Sequence, residues 1–253
     1  MQGRPFIAVS DQAAEYAPNP QAGTGQNRTM IVYGFDARSD LRATQIAQQE
    51  DGLRFQVNGR FNYQIPSLGR HNVLNALAAI AIGQRFRLEH TDIAPVLAKF
   101  KAPKMRMQAA QHGAIYLIND AYNANPSSMR AAFEAMDHLA RPGRRVLVLG
   151  DMRELGDKTT KCHQSVGRDA GASSANVIIT VGSMARVMAD GATSAAGTSK
   201  RIYPFPSIEA LTDKLPDLLE PGDNVLLKAS RGSRLERLAP IVEKCGLAFA
   251  TSV

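Results

Sequence analysis

Tryptophan is absent from these 253 residues, aromatic side chains make up 6% of them, and there are two cysteines. So few rings offer no obvious platform for stacking nucleic-acid bases. Lys and Arg number 30 against 23 Asp and Glu, a formal charge of +7, but they are scattered and form no run of five. Anionic small molecules such as nucleotides or nucleotide sugars suit that balance, and no nucleic-acid partner is expected. The longest apolar stretch, Ala76 to Ile82, falls far short of the roughly 20 residues that cross a bilayer. Met1-Gln2-Gly3-Arg4-Pro5 leads into no apolar segment of the signal-peptide kind. Cys162 and Cys245 lie far apart and read as free thiols of a reducing compartment. The expected location is the cytoplasm, without membrane insertion.

Complete catalytic motifs are missing as well. Gly23-Thr24-Gly25-Gln26-Asn27 lacks the lysine that a phosphate-gripping G-x-x-x-x-G-K-[ST] loop needs. No G-x-G-x-x-G follows a strand, no G-x-S-x-G elbow occurs, and no Cys/His cluster has zinc spacing. No residue is assigned as catalytic or as a metal ligand, and no repeat of 20–50 residues suggests a solenoid.

What is present is an alternation of apolar runs and amphipathic helices. The break Ala140-Arg141-Pro142-Gly143 divides the chain into residues 1–140 and 141–253. The first half opens with a Gly/Asn/Gln-rich stretch, Asn19 to Thr29. It continues in strand-like segments at Met30 to Phe35, Leu53 to Val57 and Phe61 to Ile65. A helix is predicted over Asn72 to Gln84, with Val73, Leu74, Leu77, Ile80 and Ala81 on its apolar face. A second starts near His90, capped by Thr91, with Ile93, Val96, Leu97 and Phe100 on one side. Ile115 to Ile118 reads as a buried strand and Ser128 to Leu139 as a helix.

In the second half strands are predicted at Val146 to Leu149, Val177 to Val181, Ile202 to Phe205 and Val225 to Leu227. Helices follow each, over Thr160 to Ala172, Met184 to Ala192, Ile208 to Leu219 and Ser233 to Cys245. Short apolar strands separated by amphipathic helices imply an α/β fold with a mainly parallel sheet covered on both faces. In such sheets ligands bind beyond the carboxyl ends of the strands.

The segment Ile118-Asn119-Asp120-Ala121-Tyr122-Asn123-Ala124-Asn125-Pro126 lies at such an end. Three asparagines, an acid and a tyrosine suit a loop that hydrogen-bonds a ligand. The plain alternative is an Asx-rich helix start, with Asn125 or Ser127 as the cap. Three later loops share that geometry: Gly150 to Asp157, Val181-Gly182-Ser183, and Lys228 to Arg234. Asp151, Ser183, Lys228, Ser230 and Arg231 could converge there on a zwitterion bearing an ammonium and a carboxylate. Taken singly, Gly150 and Gly232 could only turn the chain, and Asp151 and Ser233 could only cap helices. His71-Asn72-Val73-Leu74-Asn75 puts two asparagines on one face of a helix start, a capping and nucleotide-contact pattern. His163 reads as a packed or capping histidine and Arg106 as a surface charge.

Together these segments resemble the Mur ligases of bacterial cell-wall synthesis. The resemblance is carried by His71 to Ala79, Asn119 to Met129, Val148 to Met152 with Glu154-Leu155-Gly156, Cys162-His163 with Val166-Gly167, and Leu227-Lys228 with Ser230-Arg231. It runs from about Met30 to the C-terminus and is most similar to the member that adds D-alanyl-D-alanine to UDP-N-acetylmuramoyl-tripeptide. The resemblance implies ATP-driven amide formation through an acyl phosphate, with Mg²⁺ and a modified lysine serving the complete enzyme. It implies that Asn72, Asn75, Arg106, Asp120, Tyr122 and Asn123 face the nucleotide, Asp120 on ribose hydroxyls and Arg106 near phosphates. Asp151, Lys228, Ser230 and Arg231 would face the dipeptide, with Arg231 or Lys228 on its carboxylate.

It further implies that residues 1–140 are the later part of the central ATP-binding domain. Residues 141–253 would be the Rossmann-like C-terminal domain. The family's UDP-sugar domain and the P-loop half of its ATPase have no counterpart here, so the chain is expected to be a portion of a ligase, inactive alone and partnered by the missing N-terminal part. The alternatives are a non-catalytic nucleotide- or muropeptide-binding subunit and a folate-polyglutamylating relative.

Overall fold

The computed structural model describes residues 6–16 and 29–251. Most of the stretch Asn19 to Thr29, with its Gly23 to Asn27 motif, lies outside them, as does Met1 to Pro5. The chain divides into two compact units, residues 1–101 and 102–253.

The first unit holds strands β1 (Phe6–Ser10), β2 (Thr29–Gly34), β3 (Leu41–Gln49), β4 (Gly52–Val57) and β5 (Phe61–Ile65), then helices α1 (His71–Arg85) and α2 (His90–Ala98). The strands lie in that order in one sheet, with β1, β2 and β3 parallel and β4 and β5 continuing antiparallel. Alternation is plain in β4, where Leu53, Phe55 and Val57 are buried and Arg54 is exposed. In α1, Val73, Ala76, Leu77, Ile80 and Ala81 are buried at helical spacing, and Leu74 packs partly against the same core.

Two expectations for α2 fail. Only Ile93 is buried, while Val96 and Phe100 are exposed. Thr91 is inside the first turn, because Glu89 and Asp92 form a reciprocal capping box that puts the cap two residues earlier, at Glu89. Strand β3 escaped sequence reading because its run LRATQIAQQ is polar and bulged, with Gln45 in the left-handed region at φ 50°.

His90 stacks on Phe61 at 3.6 Å between ring centroids, and its Nδ1 meets the Tyr63 hydroxyl. Burial pushes the Tyr63 phenol up to about 12. Burial also lowers His90, helped by the charge of Arg60 and opposed by Glu89. Since the folded value lies below the unfolded one, His90 contributes its full stability above about pH 6.5 and loses it as pH falls. Denaturation midpoints of the first unit should therefore drop from about pH 7.5 to about pH 5. His90→Asn should flatten that slope, and an unchanged slope would clear His90 as its cause.

The second unit begins with β6 (Gln108–His112) and β7 (Ile115–Asp120), then α3 (Pro126–Asp137), β8 (Arg145–Gly150) and α4 (Thr159–Ala172). It continues through β9 (Val177–Val181), α5 (Ala185–Ala195), β10 (Arg201–Phe205), α6 (Ile208–Thr212) and α7 (Leu215–Leu218). It ends with β11 (Asn224–Lys228) and α8 (Ala239–Thr251). The six-stranded sheet runs β10-β9-β8-β11-β7-β6, all parallel but for β6.

The expected division at Ala140 to Gly143 is therefore corrected. β7 pairs along its length with β11, Leu117 opposite Val225 and Asp120 opposite Lys228, so it belongs to the later sheet. An apolar strand such as Ile115 to Ile118 needs a neighbour on each edge, and β11 and β6 supply them. The Ala140–Gly143 break is only the α3–β8 connection. Two helices are also interrupted: Ile208 to Leu219 splits into α6 and α7. The stretch Ser233 to Cys245 starts as tight 3-10 turns around a left-handed Arg234 before α8.

From β8 the chain winds outward to β9 and β10, then returns to β11 on the other side of β8. The winding reverses there, which opens a crevice at the carboxyl edge.

Candidate functional site

Asp120 ends β7 at that edge, its side chain 13% exposed. One carboxylate oxygen accepts from the Met107 N–H at 3.0 Å and the other meets the Lys228 ammonium at 2.5 Å. The Tyr122 N–H donates to the Met105 carbonyl at 3.1 Å. These ties hold Met105 and Met107 in the left-handed region, at φ 60° and 47°, a conformation that costs a non-glycine residue about 1 kcal/mol or more. Between them Arg106 is carried over the Tyr122 ring, 4.1 Å from its centroid, and Arg231 approaches the same ring at 5.7 Å. Tyr122 is 40% exposed and Asn123 is also open. A carboxylate, two guanidiniums and a ring thus share one mouth, groups able to meet the hydroxyls, phosphates and base of a nucleotide.

Asn125 caps α3, accepting from the Ser128 N–H at 2.8 Å while Pro126 starts the helix. The capping alternative therefore holds for Asn125, and the ligand-facing geometry is left to Tyr122 and Asn123.

Asp151 follows β8. One of its oxygens accepts from the Ser183 N–H at 2.9 Å and hydroxyl at 2.8 Å, the other from the Met184 N–H at 3.1 Å. The carboxylate that was to meet an ammonium is thus engaged by the loop before α5. Gly182, at φ 117°, lies so close that a Cβ there would enter the Asp151 carboxylate. His163, fully buried, accepts from the Met152 N–H at 2.9 Å and donates from Nδ1 to the Thr159 carbonyl at 2.8 Å, fixing the same loop.

Lys228 and Ser230 are 2% and 3% exposed, and neither is offered to the dipeptide as expected. Lys228 points beneath the β7–α3 loop, where it also donates to the Asn123 carbonyl at 3.1 Å. Ser230 donates to the Ala124 carbonyl at 3.2 Å and accepts from the Arg153 N–H at 2.9 Å. Of the four residues expected on the dipeptide, Arg231 alone is exposed.

A cavity of about 230 Å³ opens beside Asp151, with Arg153, Ser207, Glu209, Arg234 and Arg237 in its lining. Arg237 pairs with Glu209 at 2.8 Å. The Glu209 carboxyl is held below its usual range by a backbone N–H first and by Arg237 next. Arg234 pairs with no carboxylate among the described residues. Of these arginines Arg237 falls within a segment predicted as helix, while Arg153 and Arg234 lie in loops whose other residues were singled out; the left-handed turn at Arg234 precedes the short turn that carries Arg237.

Asn72 and Asn75 belong to the first unit, at the start of α1. Asn72 donates to the Leu68 carbonyl at 2.7 Å and accepts from Asn75 at 2.9 Å, and Asn75 remains exposed. Among the described residues no group of three His, Cys, Asp or Glu side chains stands where it could hold a metal. These residues thus give Mg²⁺ no cage of their own.

Family models match on either side of the observed division. The Mur ligase middle domain matches residues 3–83, and the Mur ligase, glutamate ligase domain matches residues 105–231. The UDP-N-acetylmuramoyl-tripeptide–D-alanyl-D-alanine ligase of Bacillus subtilis is 35% identical over 209 residues, 82% of this chain and 46% of that protein. Its Escherichia coli counterpart is 33% identical over 218 residues, again 46% of its own length. The chain therefore spans about half the length of the curated relatives it matches. Crystal structure I of MurF from Acinetobacter baumannii superposes with a TM-score of 0.79 at 27% identity, covering 95% of this chain and 52% of that one. The MurF ligase of Thermotoga maritima, solved in complex with ADP, shares the fold at a TM-score of 0.72 and 20% identity, over 97% of this chain and 54% of that one.

Proposed function

The chain belongs to the Mur ligase family, and from that premise we propose that it supplies part of an ATP-dependent, amide-forming ligase that joins D-alanyl-D-alanine to UDP-N-acetylmuramoyl-tripeptide. The observation that carries this reading is the crevice of the second unit, which sets two chemically distinct mouths side by side on one sheet edge. The Arg106–Tyr122–Arg231 mouth, backed by Asp120, suits the nucleotide: Asp120 takes ribose hydroxyls and the guanidiniums neutralise phosphate. In the first unit Asn75 keeps an exposed amide, while the Asn72 amide is engaged by the Leu68 carbonyl and by Asn75. Bound Mg²⁺ would supply charge neutralisation at the phosphates, and the described residues form no cage that would hold it.

The arginine-lined cavity suits the dipeptide. Arg234, without a carboxylate partner among the described residues, suits the dipeptide carboxylate, and Glu209, beside Arg237, offers the opposite sign to its ammonium. With no loop in these residues that grips β- and γ-phosphates, the chain by itself binds and positions but does not turn over ATP. The reading sets this work in the cytoplasm.

Calorimetric titration of D-alanyl-D-alanine into the chain tests it. We expect saturable heat that Arg234→Ala weakens by about tenfold or more, the loss due to one charge-assisted hydrogen bond. Heat that never saturates, or that Arg234→Ala leaves untouched, would remove the dipeptide from this cavity.

A further inference from the structure

We propose that the buried side chains of Lys228 and Ser230 are positioning residues: together they form the joint that sets the β7–α3 loop and the β8–α4 loop in their binding geometry, without touching either ligand. This rests on reading those loops as the nucleotide and dipeptide sides of the crevice.

Strand register creates the first half of the joint. Lys228 is the last residue of β11 and lies opposite Asp120 on one neighbour and Leu149 on the other. Its ammonium has no route to water at 2% exposure, so it is satisfied internally by Asp120 at 2.5 Å and the Asn123 carbonyl at 3.1 Å. Because the second oxygen of Asp120 holds the Met107 N–H, Lys228 also fixes the left-handed turn that carries Arg106. A single cation thereby orients the carboxylate, the Tyr122–Asn123 loop and the guanidinium above it.

The second half is one hydroxyl shared by two loops. Ser230 donates to Ala124 on the nucleotide side and accepts from Arg153 on the cavity side, while its own N–H donates to the Asp151 carbonyl at 3.0 Å. Both residues sit under the loops, so their contribution is geometric.

The test compares Lys228→Met, Lys228→Arg and Ser230→Ala, titrating each with ADP and with D-alanyl-D-alanine. Lys228→Met should weaken ADP by about tenfold or more while the dipeptide stays within about twofold. Lys228→Arg should recover part of the ADP affinity. Ser230→Ala should weaken both ligands, each by about three- to tenfold. Amide exchange at Tyr122 to Ala124 should quicken in Lys228→Met, and in Lys228→Arg return toward wild type, with β9 protection unchanged.

Loss of dipeptide binding alone in Lys228→Met would mean direct ligand contact and overturn the joint. So would unchanged exchange, or a parallel fall of both affinities with β9 protection. Should Lys228→Met not fold, Lys228→Met combined with Asp120→Asn buries no unpaired charge and takes its place in the exchange comparison. If the wild type binds neither ligand, the functional reading fails while exchange still decides the joint.

Discussion

Gly167→Val should leave the second unit unable to fold. Helices α4 and α5 cross with their backbones in contact at three glycines. A Cβ on Gly167 would run into the Met188 carbonyl, one on Gly171 into that of Ala192, and one on Gly191 into that of Gln164. These obstacles are backbone atoms of a neighbouring helix, so no side-chain rotation relieves them. Separating the helices would also strip packing from Val166, Ala170, Met188 and Ala192, all buried. Overpacking of this kind costs about 1–3 kcal/mol where a core can yield and more where backbone must move, against a total stability of about 5–15 kcal/mol. Thermal denaturation followed by far-UV circular dichroism should find no cooperative transition for the second unit. Gly167→Ala should melt well below wild type, because the first carbon already collides. A Gly167→Val protein melting within a few degrees of wild type would show that the two helices are not packed as described.

Gly167 also shows where sequence reading succeeds and where it stops. Cys162-His163 with Val166-Gly167 helped carry the family resemblance without suggesting any chemistry. The structure explains them as scaffold, since His163 pins the Asp151 loop and Gly167 admits α5. The parallel sheet was legible because Val146 to Leu149, Val177 to Val181 and Val225 to Leu227 are short apolar runs spaced by amphipathic helices. The membership of Ile115 to Ile118 was not, because strand order is set by pairing across more than a hundred residues and leaves no local trace.

Asp120, Tyr122 and Asn123 were legible as polar residues at the end of an apolar strand. The burial of Lys228 and Ser230 was not legible: the pattern that marks a strand end cannot tell a side chain facing water from one turned under a neighbouring loop. Arg234 and Arg237 were missed because their place at the cavity depends on a left-handed turn at a non-glycine residue, which composition does not announce.

Asp151→Ala should cost both stability and dipeptide binding, and the link between the two losses distinguishes two roles for this carboxylate. If Asp151 meets the dipeptide ammonium directly, Asp151→Asn should abolish binding while the fold keeps its stability. The structure instead gives it three protein donors, the Ser183 N–H and hydroxyl and the Met184 N–H, all in the loop that starts α5. As a helix-start anchor its removal should cost about 2–3 kcal/mol, a lost cap plus stranded donors. The Ser183 loop and the cavity wall it supports would then loosen, weakening D-alanyl-D-alanine by about tenfold or more. Asp151→Asn should fall between, because its carbonyl oxygen still accepts one set of donors while its amide nitrogen confronts the other. Chemical denaturation and calorimetry on the same three proteins should therefore rank stability and affinity in one order, wild type above Asp151→Asn above Asp151→Ala. An Asp151→Asn protein as stable as wild type yet unable to bind the dipeptide would return this carboxylate to the ligand.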